Sequence, residues 1–271
     1  MPRLEQIGRR TWFGRMAGGF VALWAGLGAE GSRESWAGWL GRAPRRAFDQ
    51  DPEILPVETE FEFQGITFPC AAFVVVRGSE IAVVDALVPG NADRIGAMIL
   101  QAGLDWWAVR HVILTHWHFD HVGSAEDIAQ QAPQATFWAG EPDIQEITLS
   151  RPISPVYDRD EVFGLRIVST PGHTAGHISI LDPRTSSLMT GDAVFNIGGE
   201  LALPPAAFSI DVVEAVASAS RLGALGFERA LFAHGPAIER GAAEQIARLA
   251  AAASQDPFAL IDHRHNCMLH A

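Results

Sequence analysis

The stretch "HVILTHWHFDHVG", residues 111–123, constrains this chain more than any other. An apolar run of strand type stops at Thr115, and the next six positions hold His116, His118, Asp120 and His121. A buried strand favours Val and Ile, and a surface loop has no use for three imidazoles. So many electron-pair donors in so short a space call for an outside partner, and a metal ion fits the residue types. In an extended segment, positions 116 and 118 face the same way. Asp120 and His121 come after the chain begins to turn, so they face a neighbouring point. The spacing suits two adjacent ions better than one. Imidazole and carboxylate suit Zn²⁺, and iron or manganese also match this donor set.

Three more candidates stand in similar contexts downstream: His173 in "STPGHTAGH", Asp192 in "LMTGDAVF" and His234 in "LFAHGP". Each follows the end of a strand-like run beside glycine, and loops at one edge of a sheet are where sites assemble. Asp85 closes "IAVVD" in the same way and is placed to accept a hydrogen bond from a ligand histidine. His177 reads as a structural residue. His111, which precedes the strand, is expected to be exposed. His263, His265, Cys267 and His270 read as part of a tail.

From about Asp51 strand-like and helix-like segments alternate. "CAAFVVVRGSEIAVVDALV" predicts a hairpin turning at Arg77-Gly78-Ser79. Residues 91–103 predict a helix capped by Asn91 and stopped by Gly103. "SAEDIAQQAP" predicts a second, with Ser124 and Asp127 as a variant capping box. "ATFWAG", "VFGLRIVSTPG", "HISILDP", "SSLMTGDAVF" and "RALFAHG" read as strands. Residues 209–226 and 237–255 read as amphipathic helices. Strands and helices mixed in this way predict an α/β layered domain.

Composition excludes some functions. The formal charge is -12, and all basic residues are arginine. An acidic chain without a basic stripe does not fit nucleic-acid binding, which draws its affinity from phosphate neutralisation. Its 271 residues can bury a core without disulfides, and Cys70 and Cys267 form no CxxC pair. Near the start, Arg9-Arg10 precede Trp12, Phe13 and an uncharged run from Met16 to Ala29. That run is short of the ~20 residues a membrane span needs. It resembles a twin-arginine export signal over residues 1–29, which leaves periplasmic and cytoplasmic locations both open. The remaining divisions are a linker (30–51), one domain (52–255) and a C-terminal tail (256–271).

Taken in order, HxHxDH, the His of "TPGHT", the Asp of "GD" and the His before Gly235 resemble the metallo-β-lactamase superfamily over about residues 55–252. The resemblance implies an αββα sandwich of two mixed sheets with helices on the outer faces. It implies that His116, His118 and His173 hold one metal, that Asp120, His121 and His234 hold a second, and that Asp192 bridges them. The implied activity is hydrolysis of a small ester, thioester, lactone or amide by a hydroxide bridging two ions, most simply Zn²⁺. Asp120 would orient that hydroxide and pass a proton to the leaving group.

Branch-specific features narrow this. β-Lactam-cleaving branches typically replace the bridging acid, which here is Asp192. Lactonases of the superfamily commonly carry a tyrosine where this chain has Phe195. Trp117, Phe119 and Phe195 are candidate pocket residues and favour an apolar acyl group. Two other readings stay open. One is an iron oxygenase resembling the persulfide dioxygenases, using His116, His173 and Asp192. The other is a metal-stabilised binding domain without catalysis.

Overall fold

The computed structural model describes residues 53–63 and 65–255. The expected export signal, linker and C-terminal tail, with His263, His265, Cys267 and His270, lie outside the described residues. Two long strands, β1 (Glu53–Phe63) and β2 (Ile66–Arg77), pair antiparallel with Phe63 opposite Ile66. Outward Glu58, Glu60 and Glu62 alternate with Thr59, Phe61 and Phe63 along β1. Charges of one sign on this edge strand oppose pairing with another chain. The Arg77-Gly78-Ser79 turn leads into β3 (Glu80–Val84), as the sequence predicts. Beyond it β4 (Val109–Leu114), β5 (Thr136–Gly140) and β6 (Ile153–Val156) add in parallel, giving the order β1-β2-β3-β4-β5-β6.

The second sheet takes β7 (Glu161–Val162), β8 (Leu165–Ser169), β9 (Ile178–Asp182) and β10 (Ser187–Met189). A small hairpin of β11 (Phe195–Ile197) and β12 (Glu200–Ala202) follows. β13 (Arg229–Leu231) closes the sheet in the order β13-β10-β9-β8-β7, parallel to β10. The helices are α1 (Ala92–Gln101), α2 (Phe119–Val122), α3 (Ala125–Gln131), α4 (Val212–Gly223) and α5 (Ala242–Ala253).

Strand alternation explains the layers. Ala72 and Val74 of β2, with Ile81 and Val83 of β3, face outward onto Ile95 and Ile99 of α1 and Ile128 of α3. Their neighbours Phe73, Val75, Ala82 and Val84 face inward and meet Ile167, Ile180 and Leu231 of the other sheet. Val168, Leu181 and Ala230 face the opposite way, onto Val216, Ala219 and Leu222 of α4 and Ile246 and Leu249 of α5. The result is the expected αββα sandwich, both sheets mixed. Each buried Val, Ile or Leu contributes about 1.5–3 kcal/mol. An ion pair also crosses between sheets: Arg77 Nη2 lies 2.8 Å from Asp182 Oδ1, and its guanidinium donates to the Phe163 carbonyl.

Several local expectations are corrected. Neither Asn91 nor Ser124 caps its helix by side chain. Ser124 Oγ instead donates to Val88 O and accepts from Asn91 N, which pins the loop after β3 to α3. "SSLMTGDAVF" is not one strand, because the chain turns between β10 and β11. α5 begins at Ala242; Ile238, expected inside that helix, bridges to Ala230. His111 lies within β4, partly buried, where its Nδ1 accepts from Trp138 Nε1 at 3.1 Å. Among the described residues no helix is long and apolar enough to cross a membrane.

Candidate metal centre

All the candidate donors gather where strands of both sheets end. Asp85 follows β3, His116 lies just past β4, and His173, Asp192 and His234 stand beyond β8, β10 and β13. The Ile178 amide donates to Thr115 O at 2.9 Å and joins the sheets at this edge. His118 opens the short helix α2, whose first turn buries Asp120 and His121.

The donor atoms form two groups that share one carboxylate. In the first, His118 Nδ1 lies 3.1 Å from His116 Nε2 and 2.8 Å from His173 Nε2. Asp192 Oδ2 stands 3.3 Å from His173 Nε2 and 3.8 Å from His116 Nε2. In the second, the other oxygen, Oδ1, lies 3.1 Å from His121 Nε2 and 3.2 Å from His234 Nε2. Asp120 Oδ2 lies 3.7 and 3.4 Å from the same two nitrogens.

Hydrogen bonds on the far side of the rings set their tautomers. Asp85 accepts from Thr115 N at 2.7 Å and from Thr115 Oγ1 at 2.9 Å. Its Oδ2 also takes the Nδ1–H of His121 at 2.8 Å. With its own proton committed to Asp85, Thr115 Oγ1 accepts from His116 Nδ1 at 3.1 Å. His234 donates Nδ1–H to Pro69 O at 2.6 Å. The Nε2 lone pairs of His116, His121 and His234 are thereby all aimed inward. Asp85 itself sits at φ 63, a left-handed conformation that costs a non-glycine residue energy.

His177 holds Asp192. Its Nε2 accepts from the Asp192 amide at 2.9 Å, so Nδ1 carries the proton and donates to Thr170 Oγ1 at 2.8 Å. Gly191, at φ 53, makes this approach possible: a Cβ there would lie 2.8 Å from His177 Nε2 and 3.0 Å from Thr115 Cβ.

These residues fit a cation. The inward nitrogens of the first group face one another with too few protons to bond them all. In the second, His121 Nε2 and Asp192 Oδ1 are buried without a hydrogen-bond partner. The electrostatics agree. Burial, reinforced by neighbouring imidazoles, pushes His116 well below its usual pKa and His118 down to about 3. Burial also acts against a charged His121, but Asp192, Asp85 and Asp120 outweigh it and hold that imidazole well above its usual range. For His234 burial is likewise outweighed, by Asp192 and Asp120. One half offers neutral lone pairs and the other demands positive charge. Donor atoms in three groups (His116, His118, His173; His116, His121, Asp192; Asp120, His121, His234) lie within 4.8 Å of one another.

The sequence matches the metallo-beta-lactamase superfamily over residues 65–147 and 158–234. The chain belongs to that superfamily. It is 30% identical over 129 residues to a hydroxyacylglutathione hydrolase of Brucella anthropi, covering 46% of this chain and 47% of that protein. Over 145 residues it is 30% identical to an atrochrysone carboxyl ACP thioesterase of Cryptosporiopsis, covering 51% of this chain and 41% of that protein. The chain thus spans about half the length of these curated relatives. Among solved structures, the metallo-beta-lactamase FIM-1 of Pseudomonas aeruginosa, in a mono-zinc form, superposes with a TM-score of 0.59 at 19% identity. That match covers 77% of this chain and 99% of that one, and at such identity it speaks for the fold.

Other features beside the site escape sequence reading. Phe61 and Phe63 of β1 reach the site by pairing across the hairpin. The Phe61 ring lies 5.4 Å from Phe119 and 6.4 Å from His234, and Phe63 lies 5.8 Å from Phe208. Phe119 itself is exposed, and Phe195 packs 4.7 Å from His234. Trp117 lies beneath the site, partly buried against the outer core of the first sheet. Burial pushes the Cys70 thiol well above its usual pKa, and as a neutral thiol it donates to Asp120 O at 3.1 Å.

Proposed function

We propose that this chain is a binuclear metallohydrolase acting on a small ester, thioester, lactone or amide with an apolar acyl part. The observation that carries the reading is the division of Asp192, one oxygen to each group of imidazole nitrogens. His116, His118 and His173 would hold one ion, Asp120, His121 and His234 the other, and zinc suits these donors. Bound there, such ions would lower the pKa of a coordinated water and polarise the substrate carbonyl.

The rest falls to the chain. Asp120, buried within α2 and fixed through its carbonyl by Cys70, can hold the proton of the attacking water and release it to the leaving group. Asp85 and Thr115 keep His121 and His116 in the tautomers that face inward. Phe61, Phe63, Phe119 and Phe208 form an apolar wall beside Asp120 and His234, where an acyl group would exclude water from the reacting carbonyl. Hydrolase and thioesterase names among the relatives support the reaction class.

The test is a panel of ester, thioester and lactone substrates with short and long acyl chains. Hydrolysis should stop on treatment with a strong chelator and return with zinc, and it should not depend on dissolved oxygen. Oxygen uptake in step with turnover by an iron-loaded sample contradicts the reading and favours the oxygenase.

A further inference from the structure

His118 and His173 raise a question that the other imidazoles do not. His116, His121 and His234 are each held from behind by a ring hydrogen bond, to Thr115, Asp85 and Pro69. His173 Nδ1 is buried and makes no hydrogen bond. His118 turns its Nδ1 inward, toward His116 and His173. Both lie on turns after strand ends, and a few tenths of an ångström of drift would separate their nitrogens.

One carboxylate ties those two turns together. Asp143 follows β5 in the 3₁₀ turn Glu141–Glu146 and is 1% exposed. Its Oδ1 accepts from Gly176 N at 2.6 Å and its Oδ2 from Thr174 Oγ1 at 2.5 Å. It also accepts from the backbone of Trp117, the residue between His116 and His118. The loops come close enough only because two glycines meet there. A Cβ on Gly140 would overlap the Gly176 carbonyl, and one on Gly176 would lie 2.6 Å from Asp143 N. The Thr and second Gly of "GHTAGH" thus have a use unrelated to donating to a metal.

We propose that Asp143 is a positioning residue for the first metal site, setting the distance between the His116–His118 turn and the His173 turn. It acts through their backbones rather than through the rings. A buried carboxylate suits the task because two of its donors, the amides of Trp117 and Gly176, are fixed N–H groups. An amide side chain of the same shape would turn its NH₂ toward one of them and leave two donors facing. The proposal rests on the two-site reading above, and its test separates the two.

The comparison uses Asp143→Asn in two backgrounds: His234→Ala, which leaves only the first site intact, and His118→Ala, which leaves only the second. Zinc affinity is measured by competition with a chromophoric chelator. In the His234→Ala background Asp143→Asn should weaken zinc roughly 10- to 100-fold, the range for groups that orient metal ligands. In the His118→Ala background it should change affinity less than about threefold, which a general loss of stability would not produce. Equal weakening in both backgrounds, or none in either, overturns the proposal. Should Asp143→Asn fail to fold, Thr174→Val removes only the hydroxyl donor. The same selective loss is then expected at smaller size, and its absence overturns the proposal. If the protein without substitutions binds no zinc, the two-site reading itself has failed.

Discussion

The two halves of the centre are built by different means. Beyond β4 the chain delivers four donors within six residues, on one turn and the start of one short helix. The second sheet delivers three, one per strand end, each beside a glycine at positive φ: Gly172 at 131, Gly191 at 53 and Gly235 at 110. A Cβ at any of the three would collide, with Ala215, His177 and Asn196 in turn. The dense half is specified by side chains and the scattered half by backbone that only glycine allows. Damage should therefore travel differently in the two halves.

The largest effect is expected at Asp192, which faces both groups. Asp192→Ala should empty both sites and cost kcat/KM more than the ~100-fold that marks the upper range for residues supporting a ligand from outside. Metal content and steady-state kinetics check this together. A variant that keeps one tightly held ion would show that the two groups do not share the carboxylate.

Gly191→Ala comes next and probes the backbone device directly. The new methyl meets His177 Nε2 and Thr115 Cβ, and overpacking of this kind costs about 1–3 kcal/mol. Denaturant unfolding should show that loss, and metal content should fall because Asp192 is displaced. Normal metal content with unchanged stability would remove the glycine from the account.

Asp85→Asn probes the dense half from behind. It leaves the donor set complete while disturbing the proton on His121 Nδ1, so zinc at the second site should weaken by roughly 10- to 100-fold. Rotation of the ring without loss of affinity would mean that α2 alone orients His121.

The aromatic wall carries the smallest expected effect. Phe61→Ala with Phe63→Ala should lower the preference for long over short acyl chains about tenfold, since apolar pockets discriminate by ~1–3 kcal/mol per group. Metal content should not change. A fall in turnover that is the same for every chain length would place these rings in the stability of the hairpin.

What the sequence made legible follows the same division. The dense motif stands out because its donor types are wrong for both strand and loop. The layers are legible because β2, β3, β8 and β9 alternate or run continuously apolar. Strand β1 was not, since Glu58, Glu60 and Glu62 give it the look of a polar loop until β2 pairs with it. With β1 unseen, Phe61 and Phe63 had no route to the site. Asp143 escaped for a related reason: its partners Trp117, Thr174 and Gly176 lie 26 to 33 positions away, and only β5 brings them within reach. His111 is less exposed than the sequence suggests because β4 starts at Val109, three residues before the apolar run Val112–Leu114.

The central claim is that two metal sites share Asp192, and counting metal tests it most directly. Zinc per chain should be measured by elemental analysis after dialysis for four proteins: unsubstituted, His118→Ala, His234→Ala and Asp192→Ala. The account predicts about two equivalents, about one, about one and close to none. A single equivalent in the unsubstituted protein, lost on His118→Ala and kept on His234→Ala, would contradict it.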